Sequence, residues 1–290
     1  MMGALHPARA RRPDRLKALS AVNGDLRWTT SLDEALSGPD LIFMDCSATG
    51  GRPARVRKAI AAGKHIHIEK PTAPTVEAAM ELARAAQSAG LKHGVIQDKL
   101  FLPGFAKLLF VKNAGFFGRI LSIRIDAGSW IFDGKTQACQ RPSWNYKRAE
   151  GGGIALDMMA HWRYMIDRLA SPVTAVCALM ATAIPERVDE QGRLYAVDVE
   201  DTSHALLQLS GGAVGVITNS WAMRIRRDDT MVVQIDGTQW SGCRRTVPLL
   251  HTGGCKYARG ILRRGATLVE GAKAVQLADL AYRRVGDADG

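Results

Sequence analysis

The sequence predicts two folds in succession: an α/β half built on an incomplete Rossmann-like parallel sheet over residues 1–102, and an α+β half with a mostly antiparallel open sheet over residues 103–290. Three observations predict this. Between about residues 14 and 97, helical periods alternate with short apolar runs and the helices close on Gly63 and Gly90, the pattern of βαβ units. Beyond Pro103, alternating runs follow one another through tight turns such as Ser210-Gly211-Gly212-Ala213, the pattern of antiparallel strands. Glu69, Lys70 and Pro71 directly follow the alternating run His65-Ile66-His67-Ile68, and charged heads are costly to bury, so a strand ending this way places them at a rim.

The elements follow in order. Residues 15–22 are amphipathic, and a short helix from Ser31 to Leu36 carries Ser31 and Glu34 at capping-box spacing. Residues 41–47 read as a buried strand, 52–63 as a helix, 65–69 as a strand, 75–90 as a helix and 93–97 as a strand. Right-handed crossovers bring the carboxyl ends of these strands, Ser47 to Gly51, Glu69 to Pro71 and Gln97 to Lys99, to a single crevice where parallel sheets bind ligands. In the second half, helices are expected near 103–114, 154–169 and 271–284, and strands near 119–130, 173–184, 202–210, 213–221 and 230–237.

Composition narrows the function. A chain of 290 residues that is 47% hydrophobic can bury a large core, and no run of about 18 apolar residues or signal-peptide core interrupts it, so a soluble cytoplasmic protein is expected. Five cysteines without a CxxC pair point to free thiols rather than a disulfide framework or zinc cluster. The net charge of +11 is spread over basic clusters without interleaved aromatics, which suits an anionic small molecule better than nucleic acid.

The stretch Glu150-Gly151-Gly152-Gly153 leads into a helix on which Asp157 and His161 stand four apart, on one face. Two readings stay open: a surface pair, or a carboxylate and an imidazole that hand on a proton near neutral pH. His65 and His67 share a strand face, and a metal site with Asp157 and His161 would make a metal-dependent sugar isomerase; packed strand histidines without a metal are the plainer reading. Trp144 and Asn145 offer a ring and an amide suited to a sugar, or to packing of their own loop.

The order of these pieces, a strand-end Glu69-Lys70-Pro71 followed by the Gly151-Gly152-Gly153, Asp157, His161 helix, resembles the Gfo/Idh/MocA oxidoreductases from about residue 14 to 238, with a short return at 270–284. The resemblance implies NAD or NADP as cofactor and a sugar, polyol or similar polyhydroxylated substrate. It implies that Lys70 polarises the reacting oxygen, that His161 is the general acid or base, and that Asp157 binds a neighbouring hydroxyl or orients the imidazole. Ser47, Thr49, Glu69, Lys70 and Gln97 would then line the cofactor side, Trp144, Asn145 and Asp157 the substrate side. Homo-oligomers joined through the second sheet are implied as well.

Two departures shape further expectations. No GxGxxG occurs before Gly24, so the chain is expected to begin inside the cofactor domain, with weak or lost activity; a non-catalytic remnant serving ligand binding or assembly is the alternative. Residues 237–269 show no clear periodicity where sheet would be expected to continue. Arg11 and Arg12 lie near where a 2′-phosphate would be met, a lean toward NADP.

Overall fold

The computed structural model describes residues 8–9, 12–24, 26–137, 141–223, 230–246 and 266–286. In the first half, β1 (Ala8–Arg9) and β2 (Trp28–Thr29) pair in parallel around α1 (Pro13–Val22). A short helix α2 (Leu32–Ser37) follows. Ser31 Oγ accepts the Glu34 N–H as the capping box predicts, but the Glu34 carboxylate takes its bond from Thr29 Oγ1 at 2.5 Å.

Next come β3 (Ile42–Asp45), α3 (Arg52–Ala61), β4 (His65–Ile68), α4 (Val76–Ser88) and β5 (His93–Val95). The strands form a parallel sheet in the order β3-β4-β5. Alternation decides the faces: Ile66 and Ile68 of β4 are buried with Val56, Ala59, Leu82 and Ala86 of the two helices. The parallel sheet predicted from alternating helix and strand periods is therefore present, as a two-stranded and a three-stranded unit.

The second half opens with α5 (Pro103–Asn113), whose proline sits in the first turn, and continues into β6 (Ile120–Gly128). After the loop containing Trp144 and the glycines comes a π turn, Ala155–Met159, running straight into α6 (Ala160–Leu169). Strands β7 (Val173–Ala181), β8 (Glu186–Val188), β9 (Leu194–Ala196), β10 (Thr202–Leu209), β11 (Val214–Ser220), β12 (Met231–Gly237) and β13 (Ser241–Thr246) complete it. Six of these strands form one sheet, ordered β13-β12-β6-β11-β10-β7; β6 and β11 run parallel and the other neighbours antiparallel, so the sheet is mixed. Its inner face, with Ile123, Ile125, Leu207, Ile217 and Ile235, packs on Trp162, Met165 and Leu277 in the largest core. The outer face leaves Leu179, Leu206 and Val214 exposed.

The stretch after Gly237 is more regular than its sequence suggested. Residues 241–246 return as β13 beside β12, while 247–265 lie outside the described residues. The last helix, α7 (Leu268–Gly286), touches both halves. Val95 N–H donates to Ala266 O at 2.9 Å and Leu268 N–H to His93 Nδ1 at 3.2 Å, and the helix then packs on α4, α6 and β7. Among the described residues no helix is long and apolar enough to cross a membrane.

Candidate active site

The strand-end residues are held by a buried guanidinium. Arg52, 1% exposed at the start of α3, donates from one nitrogen to Ser47 O at 2.5 Å and from another to Pro71 O, tying the loop after β3 to the turn after β4. Glu69 continues the β4 ladder by donating its N–H to Asp45 O at 2.9 Å, and its carboxylate accepts the Lys70 N–H at 3.1 Å. These bonds fix the Lys70 backbone at the rim, from which its side chain crosses to the second half.

There Lys70 Nζ meets Asp157, 2.5 Å from Oδ1 and 2.9 Å from the backbone oxygen. The other carboxylate oxygen accepts from Arg141 at 2.9 Å; Arg141 also donates to Asn145 Oδ1 at 3.1 Å and stacks over Trp221 at 4.4 Å. Burial pushes the Asp157 carboxyl up, but Lys70 and Arg141 outweigh it and hold the group below the usual carboxylate range.

The three glycines are demanded by close packing, where the sequence suggested only a flexible lead-in. A Cβ on Gly152 would stand 2.5 Å from Asn145 O, and Gly153, at φ +107°, would drive one to 2.6 Å from Glu200 Oε1. That carboxylate accepts from Ala155 N–H at 2.9 Å and from Tyr282 Oη at 2.7 Å, so it anchors the π turn to α7; burial raises its pKa.

The π turn also corrects the expected pairing of Asp157 with His161. Its widened backbone breaks the even i, i+4 stack, and each side chain has another partner. Asp157 faces Lys70 and Arg141. The His161 ring, 4% exposed, has Nδ1 2.6 Å from Tyr164 Oη and 3.5 Å from Asp98 Oδ1. Burial first, then the charges of Lys70, Lys99 and Arg141, push the imidazole well below its ordinary value of 6.5, so it is neutral at pH 7.

The other predicted residues divide. Gln97, 2% exposed just beyond β5, has an Oε1 without a hydrogen-bond partner among the described residues. Ser47 is engaged within its own loop: its N–H and Oγ both bond to Asp45 Oδ1, and Arg55 donates to the same Oγ. Thr49 is buried, with its Cβ 3.2 Å from where Gly151 would carry one, so it packs the β3 loop against the glycine run. Asn145 is buried, bonded to Arg141 and Pro142 O, and braces the loop, while Trp144 lies half-buried on the same turn. Arg12 pairs with Asp14 at 2.5 Å, and Arg11 lies outside the described residues. His65 Nδ1 accepts the Lys92 N–H at 3.3 Å, and among the described residues no three His, Cys, Asp or Glu side chains gather to hold a metal, so the isomerase reading has no ligand set there.

Sequence reasoning placed Asp98 in the crevice without a partner, and missed Arg52, Arg141, Tyr164 and Trp221 as parts of the candidate site. Arg52, Asp98, Arg141 and Trp221 meet their partners across the fold, a juxtaposition that local spacing does not encode. Tyr164 had a signal, its place three residues beyond His161 on one helix.

Comparison with known proteins finds two family models along the chain. Residues 106–240 match the model of the GFO/IDH/MocA C-terminal domain, and residues 6–97 match that of the oxidoreductase family NAD-binding Rossmann fold. The latter match, which begins at residue 6, does not support the expectation that the N-terminal Gly-rich βαβ unit is lacking, although no GxGxxG stands before Gly24. The chain is 46% identical over 78% of its length to D-xylose dehydrogenase of Paenarthrobacter nicotinovorans and 28% identical over 76% to levoglucosan dehydrogenase of Pseudarthrobacter phenanthrenivorans. It spans 60% and 58% of those two relatives. Among solved structures, levoglucosan dehydrogenase with NADH and L-sorbose superposes at a TM-score of 0.82 and 20% identity, covering 97% of this chain and 88% of that one. The WlbA dehydrogenase of Bordetella pertussis with NADH and UDP-GlcNAcA does so at 0.81 and 22%, covering 98% and 88%. At these identities the structural likeness is one of fold.

Proposed function

From the premise that this chain belongs to the GFO/IDH/MocA family of oxidoreductases, we propose that it is an NAD-dependent dehydrogenase. It moves hydride between nicotinamide and a carbinol carbon of a sugar, polyol or related polyhydroxylated substrate, with D-xylose the first to test. The observation that carries the reading is the half-buried Lys70–Asp157 pair at the carboxyl end of a parallel strand, with His161 on the same helical segment as Asp157. NAD, when bound, supplies the hydride acceptor. The free Oε1 of Gln97 suits a donor such as the nicotinamide carboxamide, with Glu69 and Lys70 on the adjoining strand end.

The chain's own residues divide the rest of the chemistry. An alcohol that gives up hydride must also give up a proton. The Lys70 ammonium beside its oxygen stabilises the developing alkoxide. His161, neutral at pH 7, takes the proton, and Asp157 holds Lys70 in place while presenting its carboxylate to a neighbouring substrate hydroxyl. Trp144 offers a ring face to the sugar. Residues 1–102 serve the cofactor and 103–290 the substrate and self-association through the outer sheet face, where Leu179, Leu206 and Val214 are exposed.

The test is direct. The purified chain is titrated calorimetrically with NADH and NADPH, then assayed with NAD and NADP against a panel of aldoses and polyols. NADH binding with oxidation of at least one sugar is expected. Neither binding nor turnover would overturn the proposal.

A further inference from the structure

His161 is buried in the candidate site, so while the reacting sugar covers the nitrogen that took its proton, a proton leaves the ring by the other nitrogen. Its Nδ1 lies 2.6 Å from Tyr164 Oη and 3.5 Å from Asp98 Oδ1. Tyr164 is 4% exposed, held one turn further along α6, whereas the Asp98 side chain is 56% exposed. A line therefore runs from the buried imidazole to a carboxylate in contact with water. We propose that Asp98 is the proton outlet of His161, and that Tyr164 is the positioning residue that holds the imidazole edge against it. The inference rests on the dehydrogenase reading for its chemistry.

The surrounding charges agree with this path. Lys70 from the turn after β4, Arg141 from the loop before the glycines, and Lys99 beside Asp98 all bear on the imidazole and favour its neutral form. The Asp157 carboxylate is engaged by Lys70 and Arg141. Asp98, paired with Lys99 at 2.6 Å, is the carboxylate turned toward Nδ1. Burial, then the charge of Asp98 and, more weakly, that of Glu69, raises the Tyr164 phenol far above neutrality, against a lesser pull from the Lys99 N–H. Its hydroxyl therefore stays protonated and serves as a hydrogen-bonding partner, not as a store for the proton.

The step balances. In oxidation the C–H bond breaks with both electrons leaving as hydride to nicotinamide, the carbonyl forms, and the hydroxyl proton passes to His161 Nε2. The imidazolium gives its Nδ1 proton to the Asp98 carboxylate, and the resulting acid gives it to water. After product release Nε2 gives its proton to water, and Nδ1 takes one back from water by way of Asp98, which restores the Nδ1–H tautomer for the next turnover. Reduction runs the same steps backwards.

The test uses the full chain with NAD and D-xylose, as wild type, Asp98→Asn and Tyr164→Phe, in H2O and D2O, with and without added imidazole. Asp98→Asn should lower kcat by about tenfold or more at little change in KM, enlarge the solvent isotope effect, and recover when free imidazole supplies an outside acceptor. An unchanged kcat, or a loss that imidazole does not relieve, would sink the outlet. Separately, 15N spectra of the histidine rings should show the His161 tautomer balance displaced in Tyr164→Phe and in Asp98→Asn; identical ring shifts in both variants and the wild type would refute the arrangement. A wild type without turnover counts against the dehydrogenase reading alone, and the ring spectra then decide whether these are the partners of Nδ1.

Discussion

Lys70 Nζ and Asp157 Oδ1 stand 2.5 Å apart across 87 residues of sequence, joining the rim of the parallel sheet to the π turn of the second half. Both side chains are largely buried, at 17% and 14% exposure, and Arg141 completes a cation–carboxylate–cation row. Such a row fixes the ammonium in direction as well as in position. An isolated surface lysine would lose that order to side-chain entropy.

Replacing Lys70 with Met keeps most of the stem and removes the charge. In the proposed reaction kcat should fall by about ten- to a hundredfold, because the lost charge acts on an oxygen that becomes negative only as hydride leaves. Cofactor affinity, measured by NADH titration, should change little. Unchanged kcat would remove Lys70 from the mechanism.

Gly152→Ala tests how tightly the glycine run is built. The new methyl would stand 2.5 Å from Asn145 O and 2.8 Å from Trp144 O, both backbone atoms that cannot swing aside. A loss of about 2 kcal/mol or more in urea unfolding is expected, with activity falling further than stability because Asn145 braces Arg141 and hence Asp157. Wild-type stability in the variant would mean that the loop is looser than this packing implies.

Much of this architecture was legible because it is written locally. The alternation His65 to Ile68 and the glycines Gly63 and Gly90 mark β4 and its flanking helices through periodicity and positive φ, which depend on near neighbours only. Lys70, Asp157 and His161 could be singled out the same way. The partner of each could not: spacing put Asp157 against His161, whereas Lys70 and Arg141 arrive from elsewhere as the partners of Asp157 on the π turn. Ser47 shows the converse. Its place at a strand end suggested a ligand, but its hydroxyl donates to Asp45 at the end of β3 and accepts from Arg55 on the next helix, so it is engaged within its own loop.

Stability should fall as pH drops from about 7 toward 5. His161 and His93 are both lowered chiefly by burial, so the unfolded chain binds protons that the folded one refuses once pH passes below the ordinary histidine value of 6.5. Asp157 acts with the same sign at lower pH, its contribution being lost as pH falls through its depressed value. Glu200 opposes them, since its raised pKa favours the fold at low pH and that contribution fades as pH rises. His161→Asn should flatten the fall in Tm between pH 7 and 5. If the slope is unchanged, the ring is not as deprived of solvent as its burial indicates.

The self-association proposed for the outer face of the second sheet rests on its exposed apolar side chains. Along β10, His204, Leu206 and Gln208 point outward; Leu206 lies opposite Val216 of β11 and Cys177 of β7, with exposed Val214 and Leu179 diagonal to it. Helices α5, α6 and α7 pack with the core side, so among the described residues these outward side chains are left without a helix over them. A mixed but partly apolar sheet face of this kind suits a twofold contact, in which the same strands meet their own copies and Leu206 of each copy is buried against the other. The full chain should therefore elute as a dimer or larger, read by light scattering coupled to size exclusion. Leu206→Arg places a charge at the centre of that contact, where like charges from the two copies oppose, and should shift the distribution to monomer while leaving the far-UV circular dichroism unchanged. A wild-type chain that is monomeric at micromolar concentration would defeat this assignment. A Leu206→Arg variant that still dimerises would move the contact to another surface, because no sheet pairing through this face can bury two facing guanidinium groups without partners.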